Sequence, residues 1–292
     1  MTLSPTTLAL VISAAFFHAV WNLVLKRIGK SSLGFVGLIA LIETFIWLPI
    51  AGFASDLTSI FSMNGAVGVF VSAILHIAYF WLLTNSYGKS DLGVAYPIAR
   101  ATGPLLSSLF AIWVLMERPH AHELTGALAI LVGALVVGFS HKQRLHLDQW
   151  WREIRTALLC GLTIASYTVW DQQSVVAWGL PVLSFYWGQL FARAMLCAPW
   201  TIQEKDTLQA LIKKHWASII AIAFLSPLAY QLVLIAMRTA PLSLIAPLRE
   251  TSILFAILLG AIFLKETNTL QRMIGALFML VGILLIALPA TL

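Results

Sequence analysis

The sequence predicts an all-α integral membrane protein of ten transmembrane helices, built as two inverted five-helix repeats. Three observations predict it. Of the 292 residues, 60% are apolar and 10% are charged, against about 25% charged in an ordinary soluble domain; the mean hydropathy is +0.90, so most of the surface has to face lipid. The apolar positions gather into ten runs of about 20 residues, the length that crosses a hydrocarbon core. Finally, residues of the first half recur in the second at a nearly constant displacement, the mark of an internal repeat.

In the first half the apolar runs cover residues 6–25, 33–53, 65–86, 94–115 and 122–140, and in the second half 156–176, 183–201, 216–237, 242–264 and 270–289. Ten spans leave only short connections, so a separate soluble module is not expected. The longest polar stretch, 141–155, contains Trp150 and Trp151 beside basic residues and reads as a linker with an interfacial anchor. It divides the chain into a first five-helix repeat over 1–140 and a second over 156–292. The N-terminus lacks a basic region and a small-residue cleavage site, so the first run is expected to stay as a span. The net charge of +6 fits loop Lys and Arg at the cytoplasmic face better than nucleic-acid binding. Cys160 and Cys197 lie within apolar runs and read as small buried hydrophobes.

The recurrence is specific. Glu117, Gly126, Ala127 and Gly133 return as Glu266, Gly275, Ala276 and Gly282, and His18-Ala-Val-Trp21-Asn22 returns as Tyr167-Thr-Val-Trp170-Asp171, each displaced by 149 positions. Pro49 matches Pro199 and Pro97 matches Pro247 at 150, and Ala78-Tyr79 matches Ala229-Tyr230 at 151. Five spans is an odd number, so the second copy enters the bilayer from the opposite side. That architecture puts a solute site near the midplane and predicts a secondary transporter working by alternating access.

Ionisable groups inside spans cost at least about 2.5–3.5 kcal/mol each and so face the interior, pair, or line water. Here they are Glu43, Arg100, Asp171, Arg193, Arg249 and Glu250, three of each sign. At displacement 150, Glu43 corresponds to Arg193 and Arg100 to Glu250, so these positions either pair across the axis or form a site with two charge poles. His18, Trp21 and Asn22 share one helical face, as do Tyr167, Trp170 and Asp171. Lipid cannot satisfy their polar atoms, so both stripes should point inward, as cavity wall or as hydrogen bonds between helices.

Pro97 and Pro247 remove a backbone donor in the fourth and ninth spans, next to Tyr96, Arg100, Arg249 and Glu250, and predict kinks that could serve as hinges. Tyr79 and Tyr230 add hydroxyls and aromatic faces in spans three and eight; His76, Trp81 and Gln231 are close by in sequence. Gly126, Gly133, Gly275 and Gly282, spaced by seven, suit close helix packing, between the halves or between two protomers, so a monomer and a homodimer both remain open. His120-Ala-His122-Glu123 lacks ligand spacing, and no phosphate loop, GxSxG or CxxC motif occurs. Neither a metal, a cofactor, ATP hydrolysis nor enzyme catalysis is expected.

Two five-span copies, a Trp with Asn or Asp in each first span, a Pro in each fourth span and a Glu closing it resemble the EamA type of the drug/metabolite transporter superfamily. The resemblance spans essentially the whole chain. It implies a carrier of amino acids, other small metabolites, sugar phosphates or nucleotide sugars, frequently by export or exchange. Thirteen Lys and Arg fall on the connections that join spans 1–2, 3–4, 5–6, 7–8 and 9–10, and two, Arg118 and Arg238, on the other side. The positive-inside bias then puts both termini outside the cytoplasm, whereas the resemblance implies cytoplasmic termini. A site with Arg and acidic poles and Trp or Tyr walls fits a zwitterion such as an amino acid, with Arg100 or Arg249 on the carboxylate and Asp171, Glu43 or Glu250 on the cation. The alternative is an organic anion, a phosphonate or sugar phosphate, held by converging arginines. A bacterial inner membrane and a coupled proton, suggested by His18 and the intramembrane carboxylates, complete the expectation.

Overall fold

The computed structural model describes residues 3–29, 32–87, 92–139, 147–263 and 270–288, with side chains at all of these except 27, 83–87, 92–97, 147–150 and 152–153. Every regular element among the described residues is helical. The helices are α1 (Pro5–Ile28), α2 (Leu33–Ala54), α3 (Met63–Tyr87), α4 (Leu92–Trp113), α5 (Ala121–Gly138), α6 (Leu147–Gln172), α7 (Val182–Gln203), α8 (Lys205–Met237), α9 (Leu242–Arg249), α10 (Ser252–Phe263) and α11 (Leu270–Ala287). A 3₁₀ turn, Leu57–Phe61, precedes α3, and a π turn, Gln173–Ala177, extends α6.

Local chemistry sets the ends. Ser4 caps α1 by accepting from the Thr7 amide at 3.1 Å, with Pro5 in the first turn where its missing donor costs nothing. Gly29 ends that helix at φ +66°, a conformation that suits glycine. Ser32 caps α2 through the Phe35 amide at 3.2 Å.

Seven stretches of helix among the described residues are long and apolar enough to cross a membrane: α1, α2, α3, α5, α8, α11 and the run of α9 and α10 together. The remaining three long helices carry several polar residues of the interior, among them Arg100 on α4, Asp171 on α6 and Gln189 and Arg193 on α7. Three of the runs differ from the sequence reading. α6 begins at Leu147, nine residues before the apolar run, because charged residues do not stop a helix whose first turns project from the apolar layer; Trp151 stands exposed there. The ninth run is two helices, α9 and α10, separated at Glu250 and Thr251. In α8, a non-helical residue at His215 (φ −130°) divides an amphipathic approach from the apolar run that follows it.

The principal helix partners are α5 with α11, α2 with α7, α4 with α6, α1 with α8, α3 with α6, and α1 with α10. The glycine seam joins the two halves within one chain. A Cβ on Gly126 would lie 2.7 Å from the Gly282 carbonyl oxygen, and one on Gly133 would lie 2.5 Å from that of Gly275. Only glycine permits this backbone approach. The main core gathers Phe185, Leu190, Leu234, Leu242 and Ile245 around the α7–α8–α9 contact. Leu128, Val132, Leu277 and Leu284 are exposed on the outward faces of α5 and α11, where lipid is their solvent.

Candidate functional site

A cavity of about 50 Å³ lies between α1, α6, α8 and α9, lined by Ala14, His18, Tyr167, Ala229, Tyr230, Val233 and Arg249. By the measure in which one water needs about 10–15 Å³, it holds a few waters. A larger solute requires the surrounding helices to move apart.

Arg249 reaches the cavity because Pro247 breaks the ninth segment. Proline has no amide to donate to the Ser243 carbonyl one turn earlier, and that carbonyl instead accepts from Ser108 Oγ of α4 at 3.1 Å. Past the proline the hydrogen bonds tighten to three-residue steps, Glu250 N to Pro247 O at 2.9 Å and Thr251 N to Leu248 O at 3.1 Å, and α9 stops. At the other end of α9, the Glu117 carboxylate, at the close of the fourth span, accepts from the Leu242 and Ser243 amides at 2.8 and 2.9 Å. These are donors that a helix start leaves unpaired. The first turn of α9 is therefore held by two groups from the first half of the chain, Ser108 and Glu117. Pro97, its counterpart, is the sixth residue of α4, beyond the first turn; Tyr96 lies outside the described side chains.

The span charges separate into two sets. Arg100 Nε donates to Glu250 Oε2 at 2.7 Å and Nη2 donates to Ser252 Oγ at 2.8 Å, with Nη1 3.4 Å from His18 Nε2. Arg193 Nη2 donates to Glu43 Oε2, and its guanidinium lies 5.6 Å from the centre of the Phe80 ring. Of the two alternatives left open for these four residues, the structure has them paired across the halves. Arg249 is different. Among the described residues no carboxylate oxygen lies within 4.0 Å of it; it sits 5.9 Å from the centre of the Tyr230 ring, with the Tyr167 phenol beside it.

Asp171 lies on the far side of Tyr230. Fully buried on α6, just before the π turn that re-aims the end of that helix, it accepts from the Tyr230 hydroxyl at 2.7 Å through Oδ2. His76 Nε2 stands 4.0 Å from the same oxygen, while Oδ1 has no hydrogen-bond partner among the described residues. Aromatic rings close the space: His76 stacks on Tyr167 at 4.3 Å, Tyr79 meets Tyr167 at 5.8 Å, Tyr167 meets Tyr230 at 6.0 Å, and Tyr186 meets Tyr230 at 5.4 Å.

Of the sequence-predicted site residues, His18, Tyr167, Tyr230 and Arg249 line the cavity, and Tyr79 and Asp171 stand in the adjoining aromatic cluster. Trp21 lies edge-on to His18 at 5.1 Å, and its indole nitrogen has no partner among the described residues. Asn22 donates to its own helix at the His18 carbonyl, 2.7 Å away. Trp170 donates to the Gly68 carbonyl of α3 at 3.0 Å and packs on Trp178, so it ties helices together and is absent from the cavity lining. Glu43, Arg100 and Glu250 are committed to ion pairs. Tyr186, Ser72 and His76 were not among the predicted site residues. His76 had a signal, since it shares a face with Tyr79 at three-residue spacing; Tyr186 had none.

Residues 151–288 match the model of the EamA-like transporter family. No curated protein matches the chain. A solved crystal structure superposes with a TM-score of 0.78 over 96% of this chain and 95% of its own length, at 16% identity, a likeness of fold alone.

Proposed function

We infer from the match of residues 151–288 to the EamA-like transporter family that the chain is a multi-pass membrane carrier of that type, which moves a small zwitterion such as an amino acid through an interior site. One observation carries the reading. Arg249, a guanidinium without a carboxylate partner among the described residues, and Asp171, a buried carboxylate with no Lys or Arg within 4.0 Å among them, flank the same ring, Tyr230, inside an aromatic enclosure. Arg249 holds the substrate carboxylate through its forked donors. Tyr79, Tyr167 and Tyr230 with Asp171 receive the ammonium, each aromatic face contributing about 0.5–2 kcal/mol.

An organic anion needs two or more guanidiniums on one oxyanion, and Arg100 and Arg193 are already neutralised by Glu250 and Glu43. The zwitterion is therefore the better fit. Transport proceeds by alternating access between two inverted five-span repeats that make ten spans. The partner pattern supports this: α5 with α11 and α2 with α7 join corresponding spans, and the contacts of α1 with α8 and of α3 with α6 exchange under the repeat. A coupled proton or solute exchange drives the cycle, and by the family resemblance the direction is export, from a bacterial cytoplasm across the inner membrane.

Counterflow in proteoliposomes, with matched sets of amino acids, phosphonates and quaternary amines, tests the reading. Trans-stimulated exchange of amino acids that weakens in Arg249→Gln is expected. Exchange of phosphonates in preference to amino acids would overturn it.

A further inference from the structure

The pair His76 and Asp171 presents a problem of proton count. His76 Nδ1 lies 2.9 Å from the Ser72 backbone carbonyl, which can only accept, so Nδ1 carries a hydrogen. That fixes the tautomer. In the neutral ring Nε2 then bears a lone pair, and it faces Asp171 Oδ2 at 4.0 Å with neither side exposed to solvent. Two acceptors confronting each other in a buried site repel, and one proton placed between them, on either atom or through a bridging water, turns repulsion into attraction.

Among the described residues the surroundings supply no other cation at contact. Tyr230 of α8 already gives its hydroxyl hydrogen to Oδ2. On α3, Ser72 and Tyr79 flank His76; Tyr167 is one turn before Asp171 on α6; Tyr186 faces in from α7 and Arg249 from α9. Arg193 of α7, the other positive group acting on His76, is bound to Glu43. On α4, Arg100 turns to Glu250 and Ser252. The Ser72 hydroxyl also acts on this carboxylate, but Oδ1 has no hydrogen-bond partner of ordinary geometry among the described residues, a second sign that the site can take a further hydrogen.

We propose that the His76–Asp171 pair, braced by Tyr230, is a binding site for one exchangeable proton. In the carrier reading above, on which its role in transport rests, this is the coupled ion, and it leaves when the substrate ammonium reaches Asp171. The proton is taken up from water onto Asp171 or His76 and returned by reversible acid–base exchange, with no change of oxidation state.

Infrared difference spectroscopy of the purified full chain in lipid nanodiscs, titrated between pH 8 and pH 5, tests the site with the hydrogen ion itself as probe. The wild type should show carboxyl and imidazole bands that titrate together. Asp171→Asn should lose both, and His76→Gln should shift the carboxyl band. Tyr230→Phe, which keeps the ring and removes one hydrogen bond, should move the carbonyl stretch of the protonated acid to higher frequency. Identical difference spectra in wild type, Asp171→Asn and Tyr230→Phe, with all three monodisperse and helical, would overturn the proposal. The readout needs no solute, so it fails or succeeds separately from the counterflow experiment.

Discussion

Arg100 and Glu250 stand 150 positions apart in the sequence, at corresponding places in the two halves, and meet at 2.7 Å in the interior; Glu43 and Arg193, also 150 apart, make a second such pair with the signs exchanged. Each pair holds a helix of one half to a helix of the other, α4 to α9 and α2 to α7. Removing one partner of a buried pair leaves an uncompensated charge, at a cost of about 3–5 kcal/mol. Arg100→Ala and Glu250→Ala should each lower the apparent Tm in detergent well below wild type. The charge-swapped double variant Arg100→Glu with Glu250→Arg should recover part of the loss, and an additive double variant would deny the coupling.

The α5–α11 seam makes a second, independent claim. Each Cβ that Gly126 or Gly133 would gain falls within 2.7 Å of a carbonyl oxygen on α11, and a backbone atom cannot turn aside as a flexible side chain can. Gly126→Val and Gly133→Val should both reduce the yield of monodisperse protein and the apparent Tm. Gly29→Ala places a Cβ in open space and is strained only by its positive φ, so it should cost less, about 1 kcal/mol. Fluorescence-detected size exclusion of the three variants checks the ranking.

Much of this organisation is legible in the chain itself, and the exceptions have physical reasons. Opposite charges at repeat-related positions within apolar runs had to be satisfied somewhere, so Arg100, Glu250, Glu43 and Arg193 could be flagged as pairs or poles before any fold was known. Which of the two they are depends on rotamers that the sequence does not encode. Recurrence at 149 positions marked both Trp21 and Trp170, yet a repeated position serves packing as readily as lining, and Trp170 gives its donor to Gly68. His76 escaped for the opposite reason. At displacements of 149–151 it corresponds to Leu225, Ser226 and Pro227, so a search by repetition passes over a residue that works in one half alone. The tautomer that gives His76 its interest is set by a backbone carbonyl, which has no sequence signature.

Arg249 should separate charge from geometry. Charged hydrogen bonds contribute about 1.5–3 kcal/mol, and a tenfold change in affinity is about 1.4 kcal/mol. Arg249→Gln should therefore raise the half-saturating concentration for amino-acid counterflow by about tenfold to a hundredfold. Arg249→Lys keeps the charge but loses the fork, and should fall between the two. Equal counterflow parameters in all three proteins would remove Arg249 from the carboxylate end of the site.

Glu117 and Ser108 both hold the first turn of the eight-residue α9, one by accepting from amides and the other by donating to a carbonyl, and their losses should differ in kind. Glu117→Gln weakens a carboxylate that accepts from both the Leu242 and Ser243 amides, a helix-start contact whose loss costs about 0.5–2 kcal/mol. Ser108→Ala removes the donor to the Ser243 carbonyl, which Pro247 has already deprived of its helical partner. The buried oxygen is then left unsatisfied, at about 1–3 kcal/mol. Because α9 carries Arg249 into the cavity, both variants should disturb counterflow as well as stability. Replacing Pro247 by Ala restores an amide at that position, so in its presence Ser108→Ala should cost measurably less than it does in the wild type. A double-mutant cycle on the apparent Tm that returns simple additivity for Ser108→Ala and Pro247→Ala would show that the proline does not create the demand that Ser108 meets.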